Sequence, residues 1–266
     1  MKTSESIHNQ FAKALDDHQQ GRFNEARIGY LEILKWIPSS GSVWALIGTL
    51  MNQIAERATG IQYLGRSLSI DPLNSATRSN LGNALREHDD LALASAAIKS
   101  SLVIHPEFGE AHINLGRVYL AMKDPLSGKE CAARALSVLP FWPEAYTALG
   151  IASSKAGLIE EAMKAHRTSI SIDPLGCDSY LSIGDCFLST GLFDEAVQSF
   201  NRAIFIKPQF GAAYLGRGKA LQSLGKDFEA IADFDSIPSS DKSLTLPRLL
   251  AHAESDVRAQ EALNSS

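Results

Sequence analysis

The residues that most often carry catalysis or hold metals are scattered in this chain. Its seven histidines are His8, His18, His88, His105, His112, His166 and His252. None stands at ligand spacing from a cysteine or a carboxylate pair, so none is assigned to a metal and each is read as solvated or packed. Cys131, Cys177 and Cys186 are odd in number and not closely paired, which speaks against a disulfide framework or a zinc site. They are expected to be small buried thiols. The carboxylate pairs Asp16-Asp17, Asp89-Asp90 and Glu160-Glu161 fall at the starts or ends of helical stretches. Glu160-Glu161 and Asp194-Glu195 open such stretches, where negative charge complements the helix dipole. There is no Gly-rich phosphate loop, no Gly-x-Ser-x-Gly elbow and no His-Glu-x-x-His. No catalytic residue and no cofactor is assigned, and the chain is read as a non-enzyme.

What remains for recognition is a set of amides and guanidinium groups: Asn80, Asn83, Arg86, Asn114 and Arg117. Asn80 and Asn114 each stand directly before a Leu-Gly pair and are 34 residues apart. An amide side chain carries both a donor and an acceptor, so it can meet the C=O and the N–H of a ligand main chain. Arg86 and Arg117 have the chemistry to meet a carboxylate. The competing reading is that the asparagines bond nearby backbone or face water and that the arginines form a solvated face.

These side chains must be placed by a repeat. Pro38, Pro72, Pro106, Pro140, Pro174 and Pro208 are spaced by 34, and so are Gly48, Gly82, Gly116, Gly150, Gly184 and Gly218. A third series is small: Ala26, Gly60, Ala94, Gly128, Ala162, Ala196 and Ala230. Between these landmarks the apolar residues recur at helical steps. In one unit Tyr180, Ile183, Phe187 and Leu188 precede Gly191, and Ala196, Phe200, Ala203 and Ile204 follow it until Pro208. Gly after one helix and Pro after the next are helix stops. Gly21, Gly157, Gly191 and Gly225 hold the inter-helix place, which Asp89 and Lys123 take in the third and fourth units. There Asp124-Pro125 has the chemistry to cap and start the second helix. Each mid-helix glycine costs about 1 kcal/mol relative to alanine. The series therefore implies that two helices cross closely there, with the alanine series facing it.

The motif resembles the tetratricopeptide repeat. One unit reads Tyr146, Leu149-Gly150, Gly157, Ala162, Pro174; another reads Trp44, Ile47-Gly48, Leu64, Pro72. The resemblance covers about residues 7–244. It implies an all-α, right-handed α-solenoid of seven 34-residue helix pairs in one domain over 1–266. The repeats are read at about 7–40, 41–74, 75–108, 109–142, 143–176, 177–210 and 211–244. Pro247 and the stripe Leu249, Leu250, Ala253, Val257 and Leu263 add a capping helix at about 246–263. At the other end Ile7, Phe11 and Leu15 are expected to face inward, with His8, Lys13, Asp16 and Asp17 in water. Departures are Ala14 in place of the first glycine, Ser153 and His166 at aromatic places of repeat five, and Arg217, whose head is expected to reach water along an apolar stem.

In proteins of this kind the first helices line the concave face, where extended peptides bind. That face projects onto Asn80, Asn83, Arg86, Glu110, Asn114 and Arg117 in the middle repeats and onto Ala45, Thr49 and Asn52 before them. Toward the C-terminus it projects onto Glu144, Thr147, Ile151, Asp178, Ser182, Asp185 and Lys219. Helix layers lie about 8–10 Å apart and a strand rises about 3.3 Å per residue, so two such asparagines would grip groups about three residues apart. This is similar to the asparagine ladder in the repeat arm of O-linked N-acetylglucosamine transferases. The carboxylate clamp that holds heat-shock chaperone tails is not matched.

The resemblance implies a protein-interaction scaffold that binds an extended partner segment; the alternative is a substrate-recognition arm or subunit of a larger glycosyltransferase-like enzyme. A net charge of −5, with no block of like charges, speaks against nucleic acid. No apolar run approaches the roughly 18–20 residues that span a bilayer. Met1–Gln10 is polar without an apolar core, so no signal peptide is read and the cytoplasm is the expected compartment. The polar end Ala262 to Ser266 mildly favours a complete chain, and a monomer or weak homodimer is expected.

Overall fold

The computed structural model describes residues 4–238. Among them are fourteen α-helices and no strand. They come as seven consecutive pairs: α1 (Ser4–Gln19) with α2 (Phe23–Trp36), α3 (Gly41–Gln53) with α4 (Arg57–Ile70), and α5 (Ser75–Glu87) with α6 (Leu91–Ile104). Then follow α7 (Gly109–Ala121) with α8 (Pro125–Val138), and α9 (Pro143–Lys155) with α10 (Ile159–Ile172). The last are α11 (Cys177–Ser189) with α12 (Phe193–Ile206), and α13 (Gly211–Ser223) with the shorter α14 (Asp227–Asp235). From the second pair on, every first helix begins at the residue the 34-residue period assigns. The capping helix expected at 246–263 lies outside the described residues.

The chain divides into two compact units, Met1–Leu139 and Pro140–Ser266. Within each, a first helix packs on its own second helix, on the preceding second helix and on the neighbouring first helix, as α5 does with α6, α4, α3 and α7. This is the pairwise packing of a tetratricopeptide-type α-solenoid. No described helix is long and apolar enough to cross a membrane.

Local chemistry sets the helix ends. Ser40, Asn74 and Asp124 accept the backbone N–H three residues on, at 3.5, 2.9 and 3.1 Å. The turn inside each pair needs one left-handed residue. Gly21, Gly157, Gly191 and Gly225 supply it in four pairs, and Ala55 (φ 63°), Asp89 (φ 71°) and Lys123 (φ 62°) supply it in the others. Ala55 was not recognisable from its type. At one position of α4, α6 and α10, a buried serine donates back to the first residue of its own pair: Ser67 to Gly41 at 2.8 Å, Ser101 to Ser75 at 2.7 Å and Ser169 to Pro143 at 2.9 Å.

The glycine series is a set of slots. A Cβ on Gly48, Gly150 or Gly184 would stand 2.8, 2.5 or 2.7 Å from Leu64, His166 or Phe200. The closest filler is thus the residue four beyond the alanine series, although Gly60 O also approaches the Gly48 position at 3.1 Å. The first pair inverts the arrangement. Ala14 takes the glycine's place, and Gly29 opposite it has no room, since its Cβ would stand 2.7 Å from that of Ala14.

Three expectations are corrected. Asp17 is buried rather than solvated, because Arg22 closes the first turn on it, Nε donating to Asp17 Oδ1 at 2.7 Å. Arg217 does not extend its head to water. It forms a two-pronged pair with buried Asp233 of α14, at 2.7 and 2.5 Å. Thr147 belongs to the interior side of its helix, where its hydroxyl meets Ser169 at 3.0 Å and Ser179 at 2.7 Å.

Candidate partner-binding face

The five side chains proposed for recognition all lie in the first unit, on α5 and α7. Asn80 is exposed on α5 and donates through Nδ2 to Thr49 Oγ1 of α3, at 3.4 Å. Asn114, half-buried at the same repeat position of α7, donates to buried Ser79 Oγ of α5 at 3.0 Å. Each amide is therefore braced against a hydroxyl of the preceding first helix, and the two project in the same phase from successive layers. Each NH2 has a second hydrogen beyond that bond.

The remaining three divide between them. Arg117 is exposed and donates to Asn114 Oδ1 at 3.2 Å, so these two form one polar cluster. Asn83 and Arg86 form another: Asn83 Oδ1 accepts from Arg86 Nη2 at 3.0 Å, and Arg86 pairs with Glu87 at 3.1 Å. Glu87 also accepts from Asn83 Nδ2 at 3.4 Å. Arg86 is thus a half-buried group already neutralised by a carboxylate one residue away, and Asn80 bonds none of the other four. The bracing hydroxyls of Thr49 and Ser79 and the carboxylate of Glu87 were not singled out from sequence. Thr49 had been projected onto this face, but nothing in the spacing marked it as a partner of Asn80.

In the second unit, Asp185 on α11 has its carboxyl raised above the usual range by desolvation, against the lowering pull of Lys219 on α13 and Lys155 on α9. Asp185 is nonetheless exposed to solvent. Among the described residues, no group of three or more His, Cys, Asp or Glu side chains is arranged to hold a metal ion. The cysteines have high pKa values: burial pushes Cys131 up to about 11 and raises Cys177 and Cys186. They stay protonated at neutral pH, a poor state for a nucleophile.

Residues 178–210 match the tetratricopeptide repeat family model. No curated protein sequence matches the chain. Among solved structures it is similar to a tetratricopeptide repeat protein from Parabacteroides merdae, with a TM-score of 0.74 and 17% identity over 94% of this chain and 100% of that one. It is also similar to a chain of the APC/C hetero-tetramer Cut9–Hcn1, with a TM-score of 0.75 and 12% identity over 90% of this chain and 48% of that one. A third similar structure is YrrB, described as a tetratricopeptide repeat protein with an unusual peptide-binding site. Its TM-score is 0.50, at 18% identity over 72% of this chain and 97% of that one.

Proposed function

Since this chain is a tetratricopeptide repeat protein, by its family match at residues 178–210 and by its fold, we propose that it is a non-catalytic adaptor holding an extended partner segment on the first-helix layer of its first unit. The observation that supports this most is the pair Asn80 and Asn114. Their amides stand in one phase on consecutive first helices, each oriented by a hydroxyl from the layer before. Orientation before binding matters because it lowers the side-chain entropy lost on capture. Layers about 8–10 Å apart match about three residues of extended chain, so the two amides hold main-chain groups whatever the ligand's side chains are. Arg117, exposed beside Asn114, selects among ligands by charge, and the neutralised Asn83–Arg86 pair flanks the amides as a polar border. That YrrB is described as having a peptide-binding site fits this use of the fold.

The test begins with peptides selected from a random display library on the immobilised full chain. Asn80→Ala with Asn114→Ala is expected to weaken the selected peptides about tenfold or more, at roughly 1 kcal/mol per lost amide contact, with an unchanged melting curve. Unchanged affinity would remove these asparagines from the site.

A further inference from the structure

The first-helix layer of the first unit opens at its N-terminal end. There α3 packs on α5 and α5 on α7, but α1 has less contact with α3. The far ends of α1 and α3 do meet, since His18 Nε2 donates to Gln53 Oε1 at 2.8 Å. Their first turns border an apolar groove of about 540 Å³, formed by Ile7 and Phe11 of α1, Ile33 and Ile37 from the end of α2, and Val43 of α3. Three repeat positions set this end apart. Ile7 and Phe11 stand where α3 has Gly41 and Ala45 and α5 has Ser75 and Ser79. Ile33 stands where Ser67 and Ser101 tie their helices back to Gly41 and Ser75, so the first pair lacks that tie.

The lining decides what fits. Ile37 is 40% exposed and Ile7 and Phe11 are half-buried, so apolar surface is still open to water. Among the described residues, the polar lining is His8, Ser40 and Ser42, with no carboxylate, amine or guanidinium. The two serine hydroxyls bond each other at 3.2 Å and Ser40 also caps α3, so neither calls for a polar ligand. From Ile7 to Phe11 the apolar wall runs about 6 Å along α1, which fits one side chain. It is too short for this chain's stripe from Leu249 to Leu263, which would be about 21 Å long as a helix. A stable second copy would need about 800 Å² per partner, far more than one such groove offers.

We propose that this groove takes one large apolar side chain of the partner segment as its anchor. The anchor's place along the segment rests on the adaptor reading above. Phe11 stands one position before Ala12, the counterpart in α1 of Asn80 in α5, so groove and amides belong to one face of the first-helix layer. The groove lies about one and a half layers from α5, or about 12–15 Å, which is about four residues of extended chain beyond the one held at Asn80.

The probe is N-acetyl-leucine N-methylamide, with the glutamine compound as polar comparator, titrated into the full chain carrying carbon-13 isoleucine methyls. The leucine probe is expected to shift the Ile7, Ile33 and Ile37 methyls saturably, and the glutamine probe to bind about tenfold more weakly. Ile37→Glu changes an exposed side chain, and Ser42→Phe fills the groove from its exposed rim; each should abolish the remaining shifts. Lack of saturation, equal binding of the two probes, or unchanged binding by either variant would overturn the proposal. So would isoleucine shifts that change, without probe, with protein concentration or on Leu250→Ser, since they assign the groove to a second copy or to residues 246–263. The library-selected peptides separate this groove from the amides. A loss of about tenfold in Ile37→Glu with none in the double asparagine variant would support the groove and remove the amides. The reverse would overturn the groove and leave the amide face standing.

Discussion

His166 is the residue whose chemistry is least suited to its place. Its ring fills the slot over Gly150 that Phe200 fills over Gly184, and both its nitrogens are buried without a partner. Burial pushes its pKa down to about 4. The sign follows directly. Above pH 6.5 both folded and unfolded chains hold it neutral. As pH falls from 6.5 towards 4 the unfolded chain takes up the proton first, so stability is lost, reaching about 3 kcal/mol below pH 4. His166→Phe is expected to raise stability at pH 7 by about 1–3 kcal/mol, because two unsatisfied polar atoms leave the interior. It should also remove about 2 kcal/mol of the loss between pH 7 and pH 5. Urea melts of both chains at the two pH values measure this; equal pH dependence would show that His166 is not the group responsible. The sequence marked His166 as a departure at an aromatic place. Its isolation from every donor and acceptor was not legible, because it depends on which side chains of other helices reach the slot.

At the scale of a helix pair, size and charge are exchanged across the contact. In α1 and α2 the small residue is Gly29 because Ala14 has taken the methyl group. Gly29→Ala alone is expected to destabilise by about 1–3 kcal/mol through overpacking. Adding Ala14→Gly should recover most of it, and a double-mutant cycle in urea would reveal additivity if the two positions were independent. In α13 and α14 the exchange is of charge. Repeat five uses Leu149 and Ala165 where repeat seven uses Arg217 and Asp233. Asp233→Ala alone leaves Arg217 without its carboxylate and is expected to cost about 3–5 kcal/mol. Asp233→Ala with Arg217→Leu should restore the apolar pairing and return stability to within about 1 kcal/mol of the parent. A Tm that stays low in the double variant would overturn the exchange. Arg217 was legible as a break in the Leu-Gly pattern, but Asp233 was not, since pairing a residue on one helix with one sixteen positions on requires the crossing geometry.

Across the whole molecule, the two compact units carry different liabilities. His166, the buried histidine with a depressed pKa, is in the second unit, on α10. Amide exchange at pH 5, corrected for intrinsic rates and compared with pH 7, is expected to show α9 and α10 opening first, before α3 to α6. A uniform loss of protection along the chain would contradict this. The asparagines, by contrast, belong to the first unit. Sequence alone determined the all-α class, the 34-residue period, the starts of the first helices, the inter-helix turns other than the one at Ala55, and the absence of known catalytic motifs. These follow from local rules: backbone freedom at glycine, the stop at proline and the step of an α-helix. Tertiary structure decided which side chains were braced, paired or left without a partner. Asn80 on Thr49, Arg217 on Asp233, Thr147 turned inward and His166 left without a partner all depend on which atoms of separate helices come within about 3–4 Å, and one-dimensional spacing does not specify that distance.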